Sequence, residues 1–192
     1  TQMVDPDILD EVHTGDSPHQ GLLLDVQPLP VETNLHDLAP AAGKNIILML
    51  DQVTDPHNVG ACLRSAAALG ARALVTQDKN SPAESGVLAR ASSGGLEAIP
   101  WVRVPNLSTA LTELKDLGYW SVGLAGDTDQ SIGGLDLGDN LVLVMGSEGK
   151  GLRPLVAKHC DVIAKIPMTA KIESLNAAIA LYELGVREGL NF

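Results

Sequence analysis

Three stretches of the chain set residues able to do chemistry beside a glycine or a helix start, where a ligand can come close. The first is Asp55-Pro-His-Asn-Val-Gly-Ala-Cys-Leu-Arg64. Gly60 and Arg64 lie four apart on one helix face, and Gly60 leaves room for something to approach that face. An arginine on a surface helix ordinarily serves an exposed ion pair. Here Val59, Ala61, Cys62, Leu63 and Ala66 to Ala68 predict a helix buried on much of its surface. A buried guanidinium needs anionic or carbonyl partners, so phosphate binding is the chemistry expected of Arg64.

The second stretch is Val144-Met-Gly-Ser-Glu-Gly-Lys-Gly-Leu152. Gly146, Gly149 and Gly151 after an apolar run suit a backbone that passes close to a ligand. The spacing is neither GxGxxG nor a Walker loop, because Lys150 has no Ser or Thr after it. Most Gly-rich turns are purely structural. Glu148 is less easily set aside, since an acid in a tight loop can cap a helix, pair with Arg64 or act as a base.

The third stretch is Ile166-Pro-Met-Thr-Ala-Lys-Ile-Glu-Ser-Leu-Asn-Ala-Ala-Ile-Ala-Leu-Tyr-Glu183. An apolar run stops at Pro167 and Ser174 opens a helix that is apolar nearly all round, which predicts burial on several sides. Ser174 is a good N-cap. Capping leaves Asn176 unexplained, and a helix N-terminus offers unpaired donors to a ligand.

The elements that must carry these stretches alternate. Strands are predicted at Asn45–Leu50, Arg72–Thr76, Ile99–Val104, Tyr119–Ala125, Leu141–Met145 and Asp161–Ile166. Helices are predicted from Asn58 to Leu69, from the capping box Ser81-Pro-Ala-Glu84 to Ser92, over Leu107–Leu117, over Leu152–His159, and after Ser174. The strands read as continuous apolar runs, the pattern of a parallel sheet covered on both faces. The fold class is α/β, and ligands in such sheets bind at the carboxyl ends of the strands. Residues 1–43 hold five prolines and one short apolar run, Leu22–Val26, that could form a strand. They read as the end of a preceding module plus a linker, with the main domain at 44–192.

Composition narrows the function classes. No apolar run approaches the roughly 18 residues that span a bilayer, and the N-terminus lacks a signal-peptide pattern. Cys62 and Cys160 sit in apolar contexts and suit free thiols in a reducing cytoplasm. The five histidines show no ligand-like spacing, so no metal site is expected. A net charge of −11 argues at first against nucleic acid. Residues 1–43, however, carry eight of the acidic residues and no Lys or Arg, leaving 16 acidic against 13 basic residues elsewhere. Within that remainder Lys150, Arg153, Lys158, Lys165 and Lys171 cluster beside the third stretch.

Together, Asn58-x-Gly60-x3-Arg64, Met145-Gly-Ser-Glu-Gly-x-Gly-Leu152, and Ile166-Pro-Met168 with Ser174-Leu-Asn176 and Tyr182-Glu183 resemble the three motifs of the SpoU/TrmH RNA ribose methyltransferases. The resemblance covers about residues 44–190. Asp51-x-Val-Thr-Asp-Pro-His-Asn, Glu97-Ala-Ile-Pro100 and His159-Cys-Asp161 are most similar to the bacterial 23S rRNA guanosine 2′-O-methyltransferase branch. His19-Gln-Gly21 resembles the place where that branch leaves a small N-terminal RNA-binding domain.

The resemblance implies an S-adenosylmethionine-dependent enzyme with a deep C-terminal trefoil knot, working as a cytoplasmic homodimer on RNA. Knots are rare, and no periodicity would have suggested one. It implies a cofactor cup of Leu124, Ala125 and Gly126; Met145, Gly146, Ser147 and Gly149; and Ile166, Pro167, Met168, Ser174 and Leu175. It assigns Arg64 as the residue that activates the ribose 2′-hydroxyl, with Asn58, Glu148, Ser174 and Asn176 around it. A guanidinium suits that role by gripping the target phosphate and stabilising alkoxide charge. Lys150, Arg153 and Lys171 would join Arg64 in binding RNA. One departure is Asn176-Ala177-Ala178 where the family commonly continues Asn-Val-Ser, which removes one polar contact. The substrate expected is a 23S rRNA guanosine. A tRNA guanosine, and a non-catalytic RNA-binding knot protein, are the alternatives.

Overall fold

The structure, a computed structural model, describes residues 2–13, 19–23 and 34–166. The expected third motif from Pro167 on, with its knot and final helix, lies outside the described residues. So does most of the expected strand at Leu22–Val26, of which Leu22 and Leu23 are exposed and not in a strand.

The chain divides into two compact units, residues 1–30 and 31–192. In the first, helix α1 (Pro6–Val12) starts at Asp5 with Pro6 in its first turn. His19 Nε2 meets Asp10 Oδ1 at 3.0 Å.

The second unit is a sheet of six parallel strands in the order β3-β2-β1-β5-β4-β6. Its strands are β1 (Asn45–Asp51), β2 (Ala73–Gln77), β3 (Trp101–Val104), β4 (Trp120–Leu124), β5 (Asn140–Gly146) and β6 (Val162–Ala164). Helix α2 (Pro56–Ala68) follows β1, α3 (Gly86–Ser92) and α4 (Gly95–Ala98) follow β2, α5 (Leu107–Asp116) follows β3, and α6 (Pro154–His159) follows β5.

Because a strand sends successive side chains to opposite faces, each apolar strand feeds two cores. Ile46, Leu48 and Leu50 pack on one face with Val59, Cys62, Leu63 and Ala66 of α2 and Leu88 of α3. Ile47, Met49, Val142 and Val144 pack on the other with Leu107, Leu111 and Leu114 of α5 and Val156 of α6. The α2 set, at spacings of three and four, is one helical stripe. A short 3-10 turn at Leu35–Leu38 closes the second core, with Leu38 O accepting from the Tyr119 hydroxyl at 2.7 Å. Residues 34–43 therefore pack as part of the sheet unit.

Three helix starts fall away from their expected places, α6 opening at Pro154 rather than Leu152. Helix α2 begins at Pro56 because Asp55 caps it, accepting from His57 N at 3.0 Å. Helix α3 begins at Gly86 with Ser85 as its cap, and the Ser81 capping box does not form. Pro82 O instead accepts from the Arg103 guanidinium at 2.9 Å, which ties the segment to β3 before the helix starts.

Candidate active site

The central strands β1 and β5 part company at their carboxyl ends. Asp51 and Gly146 are register partners there. From that point α2 turns to one face and α6 to the other. This divergence is the switch point at which open α/β sheets form a crevice. Neighbouring register brings Leu124 beside Met145 and Ala164, so the exits of β1, β5, β4 and β6 lie side by side.

The Gly-rich stretch leaves β5 as a tight turn. Gly151 N donates to Ser147 O at 2.9 Å, and Gly149 and Gly151 take φ of +78° and +66°, the left-handed region that favours glycine. A Cβ on Gly146 would stand 2.0 Å from the carbonyl carbon of Gly151. The close approach inferred from these glycines thus includes the turn folding back on its own root. Ser147 is half-buried, while Glu148, Gly149 and Lys150 are exposed.

The other described cup residues lie on the adjoining exits. Leu124, Met145 and Ile166 are half-buried and pack against the first core. Ala125 is held by its N–H to Ala164 O at 3.0 Å, and Gly126 beyond it is exposed, with nothing within 4 Å of where a Cβ would be. Pro167, Met168, Ser174 and Leu175 lie outside the described residues, as do Asn176 and Lys171.

On α2, Asn58 is exposed in the first turn. Arg64 is also exposed, contrary to the buried guanidinium expected from its apolar neighbours, and forms no hydrogen bond or ion pair with a described residue. Its helix stripe buries residues 59, 62, 63 and 66 and leaves 64 on the outer side. The backbone beneath it is tightly held. A Cβ on Gly60 would lie 2.6 Å from Ala91 Cβ and 2.7 Å from Leu88 O, and one on Gly95 2.8 Å from Arg64 N. The space at Gly60 is filled by α3.

Arg153 does not project freely from the cluster of basic residues. Its Nε donates to Asp51 Oδ1 at 2.7 Å, its backbone N to Asp51 Oδ2 at 2.8 Å, and Nη2 to Gln77 Oε1 at 2.8 Å. Neither Asp51 nor Gln77 stood out as a site residue in the sequence. The available signal was one acid closing an otherwise apolar strand at the ligand-binding end of the sheet.

Burial pushes the Cys62 and Cys160 thiols up to about 12, so both stay protonated at neutral pH. Asp161 is pushed up by burial, but hydrogen bonds from Lys115 and Ser121 outweigh this and hold it below the usual carboxylate range. No group of acids, histidines and cysteines able to hold a metal occurs among the described residues. No described helix is long and apolar enough to cross a membrane.

The sequence model of the SpoU rRNA Methylase family matches residues 45–182. A 23S rRNA (guanosine-2′-O-)-methyltransferase of Pseudomonas aeruginosa is 42% identical over 84% of this chain and 66% of its own length. The enzyme of the same description from Xanthomonas campestris pv. campestris is 46% identical over 78% of the chain and 60% of its own. Among solved structures, the SpoU methyltransferase AviRb from Streptomyces viridochromogenes in complex with AdoMet superposes with a TM-score of 0.71. It is 29% identical and covers 81% of this chain and 62% of its own. The chain spans about 60–66% of the length of these curated relatives.

Proposed function

This chain belongs to the SpoU rRNA methylase family, and from that premise we propose that it transfers a methyl group from S-adenosylmethionine to the ribose 2′-hydroxyl of a 23S rRNA guanosine. The observation carrying the proposal is the adjacency of the Ser147–Gly151 turn to the Leu124, Met145 and Ile166 exits at the crevice of the sheet. It is supported by relatives of that description at 42% and 46% identity.

The described part of the cup suits such a cofactor. Half-buried Leu124, Met145 and Ile166 offer apolar surface to a nucleoside, Gly126 opens onto free space, and Gly146 and Gly149 leave backbone uncovered in the turn. Ala125 and Ser147 complete this part, with Pro167, Met168, Ser174 and Leu175 as the remaining proposed holders. When bound, S-adenosylmethionine supplies an electrophilic methyl group.

A ribose hydroxyl is a weak nucleophile at neutral pH, so the chain must align it and manage its proton. The Arg64 guanidinium has no described partner competing for its donors. It would grip the target phosphate and stabilise the developing alkoxide, from a helix whose backbone cannot shift without displacing α3 and α4. Asn58 and Glu148, with Ser174 and Asn176, would orient the ribose, and Glu148 would take up its proton. Exposed Lys150, with Lys171, would hold neighbouring phosphates by charge. Arg153 sits less well among these RNA contacts, since Asp51 and Gln77 occupy two of its side-chain donors. The working unit would be a cytoplasmic homodimer.

The test is transfer of labelled methyl to unmodified 23S rRNA and, in parallel, to bulk tRNA, with nucleosides identified by mass spectrometry. The expected product is 2′-O-methylguanosine in rRNA. Arg64→Lys should keep measurable turnover, while Arg64→Ala should lose about 100-fold or more. Label in tRNA alone would replace the substrate, and no label in either would sink the reading.

A further inference from the structure

The Asp51 carboxylate is 0% exposed, a burial that acids almost never adopt without a partner. Its Oδ1 accepts from Arg153 Nε and its Oδ2 from the Arg153 backbone N. The network continues outward. Arg153 Nη2 donates to Gln77 Oε1, and Gln77 Nε2 donates to Pro105 O at 3.0 Å. One chain of hydrogen bonds therefore joins the exits of β1, β2 and β3 to the segment that follows the Gly-rich turn.

Stability is a poor reason for such a pair, because desolvating the Asp51 carboxylate consumes much of what its attraction to Arg153 returns. What a buried pair does well is fix one geometry. Here that geometry is the turn. Asp51 is the register partner of Gly146, the residue from which the turn departs, and its carboxylate takes the N–H of Arg153, two residues past the turn's closing Gly151 N–Ser147 O bond. One residue thus holds both feet of the turn.

We propose that Asp51, Arg153 and Gln77 are positioning residues of the cofactor cup, a strut anchored on a buried carboxylate that shapes the Ser147–Gly151 turn before any ligand arrives. This rests on the reading of that turn as a cofactor-binding element. Arg153 then serves the cup, with its charge paired to Asp51.

Two measurements on the full chain test the strut. The first is hydrogen exchange of the unliganded chain. Asp51→Asn and Arg153→Gln should each speed exchange across 147–153 by about tenfold or more, with β2 amides unchanged. The second is calorimetric affinity for S-adenosylhomocysteine, which each substitution should weaken by about tenfold. The double substitution should be no worse than the poorer single one, because either change breaks the same strut. Arg153→Lys, which keeps the charge and one donor, should fall between. If Asp51→Asn does not fold, Gln77→Met removes only the outer link and should show the same pattern at about threefold.

Exchange and affinity within about twofold of the unsubstituted chain would overturn the strut, as would losses that multiply in the double substitution. A purely structural pair would lower the melting temperature while leaving local exchange and affinity alone, and that result also overturns it. If the unsubstituted chain binds neither S-adenosylmethionine nor its demethylated product, the functional reading fails, while the exchange measurement still decides the strut.

Discussion

Asp161 shows how one side chain joins two strands. Its Oδ2 accepts from Ser121 N at 2.9 Å and Ser121 Oγ at 2.8 Å, and Asp161 N donates back to Ser121, so the entry to β6 is fastened to β4. Lys115 of α5 pairs with the other oxygen. Because its pKa is lowered on folding, the ionised form contributes stability above the unfolded carboxylate value of about 3.9. That contribution disappears as pH falls through the lower folded value. Asp161→Asn should cost about 1–3 kcal/mol at pH 7. Urea midpoints from pH 7 down to pH 3 should show the gap between the two proteins narrowing below about pH 4. A constant gap would mean that the charge is not what stabilises the junction. Arg64 shows the limit of composition at this scale. A helix rich in Ala, Val and Leu need not bury every position, and only the phase of its stripe decides which residue faces out.

Elements were legible wherever their signals were local. Six strands and their parallel class follow from apolar runs, and the observed bounds differ from the expected ones by a residue or two, as element ends commonly do. The α3 start was misplaced because a capping box is only a local preference, and Arg103 claims Pro82 O from across the sheet edge. The partners of Arg153 were invisible for the same reason: Asp51 is 102 residues away in sequence. Glycines carried information, but about neighbouring elements as much as ligands. Gly60 is where α2 and α3 touch, so Gly60→Ala should force them apart and cost about 1–3 kcal/mol, read from denaturant midpoints. An unchanged midpoint would show that α3 yields without cost.

For the molecule as a whole, the sheet unit extends upstream of its first strand. Leu35 and Leu38 are 5% and 4% exposed, and the Asn45 side chain bonds with Ala41 N and O and with Gly43 O. Composition placed the boundary at 43/44 because the prolines and acids of the leading segment mask two leucines that pack on α5. A chain started at residue 44 should be less stable than one started at residue 31 by about 3–6 kcal/mol, the worth of burying two leucines. Equal urea midpoints would show that the 3-10 turn adds nothing.

The strand order also sets a timetable for the nascent chain. Strands β1, β2 and β3 come from consecutive sequence and can pair as soon as they emerge, but the other edge of β1 must wait for β5, which aligns Asn45 with Asn140, 95 residues later. At ribosomal speeds of about 5–20 residues per second, that edge stands open for about 5–20 s. During this time a strand with five consecutive apolar residues, Ile46 to Leu50, offers unpaired backbone groups to any passing chain. The seam that later forms the crevice is therefore where synthesis is most exposed to mispairing, and where a chaperone would be of most use.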